Sequence, residues 1–180
     1  MEMRTNLFGK CASDIDLCQP LRQLKTEHGP LRKQMDAFRE LAMDIGQDEN
    51  RVDWSMALSV LREMVERFVK ELDVHSRREE DVLFEMMAKH IGREVGPIAV
   101  MEHEHDSAKA FLKQFLQAAK AVNGILDHKQ ALRIADDAIQ AETILSQHFL
   151  KEEQVLFPMA EQLLSAEEKR TLQEEIEKIK

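Results

Sequence analysis

The sequence predicts an all-α protein: an up-down-up-down four-helix bundle closed by a short C-terminal helix. Three observations lead there. The chain of 180 residues has only six Gly and four Pro and no Tyr, and it is rich in Leu, Ala, Glu, Lys, Gln and Met, the residues that favour helices. Apolar residues recur at alternating steps of three and four along four stretches, the period of a buried helix face. The strongest chain breakers fall between those stretches.

Residues 1–19 show no period and read as an N-terminal extension, carrying the two cysteines, Cys11 and Cys18. Their spacing matches none of the usual zinc or thioredoxin-like patterns, so a pair of reduced thiols is expected. The first helix has the seam Leu21, Leu24, His28, Leu31, Met35, Phe38, Ala42. Pro30 removes one helical hydrogen bond just after His28, so His28 lies either on a helix that continues through Pro30 or on an incoming loop. Gly46 to Asn50 ends this helix. The second seam is Trp54, Leu58, Leu61, Val65, Phe68, Leu72, His75, Glu79, Val82, Met86, and Gly92 to Gly96 ends it. Pro97 suits the first turn of the third helix, whose seam is Ile98, Met101, His105, Ala108, Leu112, Phe115, Ala119, Val122. Asn123-Gly124 follows, with His128 in or beside the loop. The fourth seam is Ala141, Leu145, His148, Glu152, Val155, Met159. Ser165 and Glu168 have the spacing of a capping box and start the last helix. The domain reading is therefore an extension over 1–19, a bundle over 20–164 and a C-terminal helix over 165–180.

The chain is internally duplicated. His75-Ser-Arg-Arg-Glu79-Glu-Asp-Val-Leu-Phe is echoed by His148-Phe-Leu-Lys-Glu152-Glu-Gln-Val-Leu-Phe, and His28 corresponds to His105. Positions i and i+4 share a helix face, so each echo offers an imidazole and a carboxylate to one point. Antiparallel packing of successive helices brings His28, His75 with Glu79, His105, and His148 with Glu152 to one level of an otherwise apolar core. Burying so many ionisable groups is costly unless they are paired. A metal centre answers that cost, because imidazole and carboxylate are ligands of iron, manganese and zinc; a layer satisfied wholly by hydrogen bonds is the alternative. Glu80 and Glu153 sit about 100° round the helix from the two seam acids and read as supporting or surface groups. His90 reads as structural, His103 as facing away, and Met35, Phe38, Met86, Phe115 and Met159 as core filling that also lines a pocket.

Glu27-His28-Gly-Pro-Leu31-Arg, His75…Glu79-Glu80…Leu83-Phe84, Pro97-Ile-Ala-Val-Met-Glu-His-Glu-His105 and His148-Phe-Leu-Lys-Glu152-Glu153-Gln-Val-Leu-Phe-Pro158 resemble the hemerythrin-like HHE cation-binding family, over about residues 20–164. The resemblance implies two non-haem iron ions in an oxo- or hydroxo-bridged di-iron centre. His28, His75, His105 and His148 would be terminal ligands, and Glu79 and Glu152 bridges; zinc or manganese ranks below iron. The oxygen carriers of the family have a fifth histidine where this chain has Lys109, and they place the fourth-helix acid at i+5. A four-histidine, two-glutamate set is closer to the iron-cluster repair branch. Two six-coordinate irons have twelve positions, and this set with one single-atom bridge fills ten, so two stay open for a small ligand.

The formal net charge of −9 and the lack of a basic stretch argue against nucleic acid. No apolar run has the length of a membrane span, and the first residues lack a secretory pattern; a cytosolic protein is expected. The functional expectation is a di-iron protein that binds or senses O2, NO or peroxide, or handles iron. A di-iron oxidoreductase (a peroxidase, or a nitric oxide-reducing or iron-centre repair protein) is the second reading, and a zinc-bound or metal-free interaction bundle the third.

Overall fold

A computed structural model describes residues 15–180; Cys11, and with it most of the N-terminal extension, lies outside the described residues. Four rods form the bundle: α1 (Gln19–Asp44); α2 (Ser55–Arg78), continuing through a π turn at Glu79–Leu83 into α3 (Phe84–Ile91); α4 (Pro97–Ala121); and α5 (His128–Lys151), continuing through a π turn at Glu152–Leu156 into α6 (Phe157–Leu163). A last helix, α7 (Ala166–Ile176), packs against α1 and the first π turn. Each rod neighbours two others, in the cycle α1, α2, α4, α5, and no strand occurs among the described residues. The bundle expected from the seams is the observed fold.

Pro30 lies inside α1, which runs unbroken past it, so His28 stands on a helix and not on a loop. Every seam residue expected on α1 is buried. Helix five begins earlier than its seam suggested: Asp127 caps it, accepting from the Gln130 N–H at 2.9 Å, and His128 is its first residue.

The π turns correct the second and fourth seams. Each adds one residue to a turn, closing with an i to i−5 hydrogen bond from Phe84 N–H to the Glu79 carbonyl and from Phe157 N–H to the Glu152 carbonyl. The inserted residue rotates everything beyond it by one position. Val155 is therefore 50% exposed, and Leu156 and Phe157 are buried instead. Met159 and Met86 are only partly buried, their expected places in the core taken by Ala160 and Met87.

The polar layer divides the core. On one side lies a cluster running from Leu31, Met35 and Phe38 through Trp54, Phe68 and Phe115 to Phe149. On the other lies a cluster of Leu21, Leu24, Phe84, Met87, Ile98, Phe157 and the α7 residues Leu172 and Ile176. No helix among the described residues is long and apolar enough to cross a membrane.

Gly46 ends α1 at φ +81°, and a Cβ there would lie 2.4 Å from Leu132 Cγ and 2.9 Å from the His128 carbonyl. Backbone strain alone costs an L-residue about 1–2 kcal/mol in this region, and the collision adds to it. Gly46→Ala is expected to lower stability by at least about 2 kcal/mol, read from the urea midpoint at unchanged slope.

The capping box at α7 is complete. Ser165 donates from its N–H and its hydroxyl to Glu168 Oε2, each at 2.8 Å, and His90 meets Glu168 Oε1 at 2.8 Å. His90 thus bridges the second rod to α7 from the surface. The Ser165 donors, with His90 behind them, hold the Glu168 carboxyl at about 2. A depressed value means that this contribution is present above the ordinary 4.5 and is lost as pH falls through about 2. Protection of the α7 amides, taken relative to their intrinsic exchange rates, is expected to fall over that window in the native chain and to be flatter with pH in Glu168→Gln.

Candidate metal centre

The six residues singled out by the duplication converge in the polar layer. His28, Glu79, His148 and Glu152 are fully buried and His75 and His105 nearly so. Two groups of four are close enough to hold a cation: His28, His75, Glu79 and Glu152, and Glu79, His105, His148 and Glu152, with one candidate ligand atom per residue and all such atoms within 4.8 Å of each other in each group. The two glutamates are common to both groups. Glu152 Oε2 lies 3.2 Å from His28 Nε2, and its Oε1 lies 3.0 Å from His148 Nε2. Glu79 Oε2 is 3.4 Å from His75 Nε2 and 3.6 Å from His105 Nε2. Each carboxylate therefore reaches one histidine of either pair.

Six of the inward atoms lack a well-formed hydrogen bond. Both carboxylate oxygens of Glu79 and of Glu152, and the Nε2 atoms of His105 and His148, are buried without a well-formed hydrogen bond. Orphaned buried polar atoms are rare and need an explanation. His28 Nε2 and His75 Nε2 are 3.2 Å apart, close to the roughly 3 Å between two nitrogens each about 2.1 Å from one cation. Imidazole nitrogens and carboxylate oxygens are the donors that iron takes, so the residues present fit a two-metal centre.

The outward nitrogens are all held. His28 Nδ1 meets Glu153 at 2.7 Å, His75 Nδ1 meets Glu27 at 2.9 Å, His105 Nδ1 meets Glu80 at 2.5 Å, and His148 Nδ1 meets Glu104 at 3.1 Å. Behind each carboxylate stands a cation: Arg32 for Glu153, Arg78 for Glu27 and Lys109 for Glu80, each at 2.5 Å, and Lys151 for Glu104. A carboxylate on Nδ1–H fixes the tautomer that leaves the Nε2 lone pair facing inward. The pattern obeys the internal repeat: Glu27 and Glu104 each precede a histidine, and Glu80 and Glu153 each follow a glutamate.

Electrostatics separate the two shared carboxylates. Burial, then the charge of Glu152, pushes the Glu79 carboxyl well above the ordinary range. Burial acts in the same sense on Glu152, but His148 and then His28 outweigh it and hold that carboxyl well below. Burial lowers His75 and His105. It also works against His148, where the Glu152 charge wins and the imidazole is raised. Glu80 sits at about 2, because its bonds to His105 and Lys109 overcome its partial burial.

A model of the hemerythrin HHE cation-binding domain matches residues 19–160. The chain belongs to the hemerythrin HHE cation-binding family. The iron-sulfur cluster repair protein YtfE of Salmonella typhimurium (strain LT2) is 35% identical over 94 residues, which make up 51% of this chain and 42% of that relative. The chain thus aligns with less than half the length of that protein.

As an HHE domain, the chain departs from the sequence expectations in three ways. The rings around the histidines are Phe149, stacked on His28 at 4.2 Å, with Phe157 on His28 and Phe84 on His105, each at 5.7 Å; the lining expected from the seams was Met35, Phe38, Met86, Phe115 and Met159. Glu27, Glu104, Arg32, Arg78 and Lys151 carried no expected role, although their recurrence in both repeats was the available signal. Lys109, at the position of the absent fifth histidine, anchors Glu80. Other candidates stay apart from the centre. His103 is exposed. Cys18 is a half-buried thiol whose backbone N–H donates to Glu161 at 2.7 Å; burial, then the same carboxylate, pushes the thiol up, away from the reactive thiolate.

Proposed function

We propose that this chain holds a dinuclear non-haem iron centre on His28, His75, Glu79, His105, His148 and Glu152, and that it works in the cytosol on a small ligand such as dioxygen, nitric oxide or peroxide. The observation that carries the reading is the pair of four-residue groups sharing both glutamates, whose carboxylate oxygens are buried without a hydrogen bond, as are the Nε2 atoms of His105 and His148. The bundle over 20–164 is the metal-holding unit, and the helix over 165–180 braces it.

Bound iron supplies a redox-active Lewis acid with positions open to a small ligand. The chain's own residues do the rest. Glu79 and Glu152 span the two groups and keep them at a fixed separation. The four Nδ1–carboxylate pairs aim the imidazoles. Phe149, Phe157 and Phe84 keep bulk water from the layer. A crevice of about 310 Å³ between α1 and α2, lined by Glu27, Pro30, Leu31, Val74, His75 and Arg78, gives a small molecule a route as far as His75.

A second reading, iron handling for cluster repair, is favoured by the likeness to a protein named for iron-sulfur cluster repair. Metal analysis after aerobic purification, together with the visible spectrum, tests the centre: close to two irons per chain and a coloured protein are expected. One zinc, or no metal, would leave the interaction-bundle reading in its place. Spectral change on adding nitric oxide or peroxide, with or without turnover, then separates binder from oxidoreductase.

A further inference from the structure

The two halves of the centre match residue for residue until their outermost members. Around His28 and His75 both backing carboxylates are held by arginines, Arg32 and Arg78. Around His105 and His148 both are held by lysines, Lys109 and Lys151. We propose that the two metal positions are unequal: the ion at His28–His75 is retained and the ion at His105–His148 is exchangeable, with these four cations as the positioning residues that set the difference. The proposal rests on the dinuclear reading above.

The anchoring differs in kind. Arg78 donates to Glu27 at 2.5 Å, to the Ile176 carbonyl at 3.2 Å and to the Ile179 carbonyl at 2.8 Å, so one guanidinium ties Glu27 to the C-terminal segment. Arg32 donates to Glu153 and lies 5.5 Å from the centre of the Phe149 ring, which itself stacks on His28. A planar guanidinium with several fixed donors loses little freedom for each bond it makes. Lys109 and Lys151 each make one contact, to Glu80 and to Glu104, from the end of a flexible stem. Their side chains are 39% and 44% exposed, against 32% for Arg32 and 18% for Arg78.

The consequence follows through the imidazoles. A histidine leaves a cation by rotating its ring, and the Nδ1–carboxylate bond opposes that rotation. Where the carboxylate is held by a solvated lysine, water and salt compete for the same contact, so His105 and His148 are freed more often than His28 and His75. Packing points the same way. Phe149 and Phe157 both stack on His28, while the one phenylalanine stacked on His105 is Phe84, at 5.7 Å, its nearest ring being the other ligand, His148, at 4.3 Å. One firmly held ion and one exchangeable ion would let the protein yield a single iron without emptying the site.

Release of iron from the reduced holoprotein into excess bipyridyl tests this. Two phases are expected, each worth one iron per chain, with rates at least about tenfold apart, the lower end of what outer partners of metal ligands contribute to affinity. The charge-conserving pair Lys109→Arg with Lys151→Arg should slow the fast phase alone. Arg32→Lys with Arg78→Lys should speed the slow phase until the two approach each other. The melting midpoint of each metal-free variant shows whether the fold has changed, which the phase assignment would not follow. Loss of both irons in one phase overturns the proposal, and so does an effect of the arginine exchanges on the fast phase. A starting content below two irons, measured before bipyridyl is added, would instead be a failure of the dinuclear reading.

Discussion

Glu152→Ala is expected to abolish binding of both metal ions, whereas His148→Ala is expected to leave one. Glu152 belongs to both four-residue groups, but His148 belongs to only one; His28, His75, Glu79 and Glu152 survive its loss intact. A ligand present at 100 times its dissociation constant stabilises the fold by about 2.7 kcal/mol. Each kcal/mol moves the melting midpoint of a chain of this size by roughly 2–4 °C. With two ions lost, Glu152→Ala should therefore melt on the order of 10–20 °C below the native holoprotein and show no response to a chelator. His148→Ala should fall between the two and still respond. Iron counts per chain alongside calorimetric scans read both effects. Equal metal content in the two variants would mean that Glu152 is not shared, and native content in both would remove the site assignment.

Those six positions were legible because each breaks an apolar seam at the same level, and a buried ionisable group stands out against Leu and Phe. The bundle was legible for the same reason, down to Glu79 and Glu152. Beyond them the seam reading failed at Met86, Val155 and Met159, though not at Val82, since a period of 3.6 assumes an unbroken ladder and a π turn adds a residue with no compositional mark. Val155 reads as core under that assumption and is in fact a surface residue, with Leu156 buried in its place. Glu27 and Glu104 escaped for a different reason. They lie off the seam, where a glutamate is ordinarily solvated, and their role depends on a histidine of the neighbouring rod: Glu27 serves His75, and Glu104 serves His148. A pattern along one helix does not report a partner on another. The paired recurrence of Glu27-His28 and Glu104-His105 did contain that information, as did the cations three or four residues after each histidine.

Filling the centre with metal should release protons, and affinity should therefore rise with pH across the neutral range. In the metal-free core burial and the Glu152 charge push the Glu79 carboxyl toward its protonated form, and the same Glu152 biases His148 toward its charged form. A carboxylate or imidazole must shed its proton to become a ligand, so each group that is protonated beforehand contributes one. One proton released corresponds to about a tenfold gain in affinity per pH unit, the equivalent of about 1.4 kcal/mol. The linked effect on the metal-free fold has the opposite sign. Because the folded-state value of Glu79 is raised, its contribution to stability is fully present below the ordinary carboxylate value of 4.5 and is lost as pH rises through the folded value. Rising pH thus weakens the empty bundle on this account while it favours the filled one, and the gap in melting midpoint between the two should widen as pH rises above the ordinary carboxylate value. Titration calorimetry with ferrous ion in two buffers of different ionisation enthalpy counts the protons directly. Glu79→Gln should bind more weakly and with a flatter pH dependence, because its amide has no proton to lose. Net release of no protons at any pH above the ordinary carboxylate value by the native chain would contradict the raised Glu79 carboxyl.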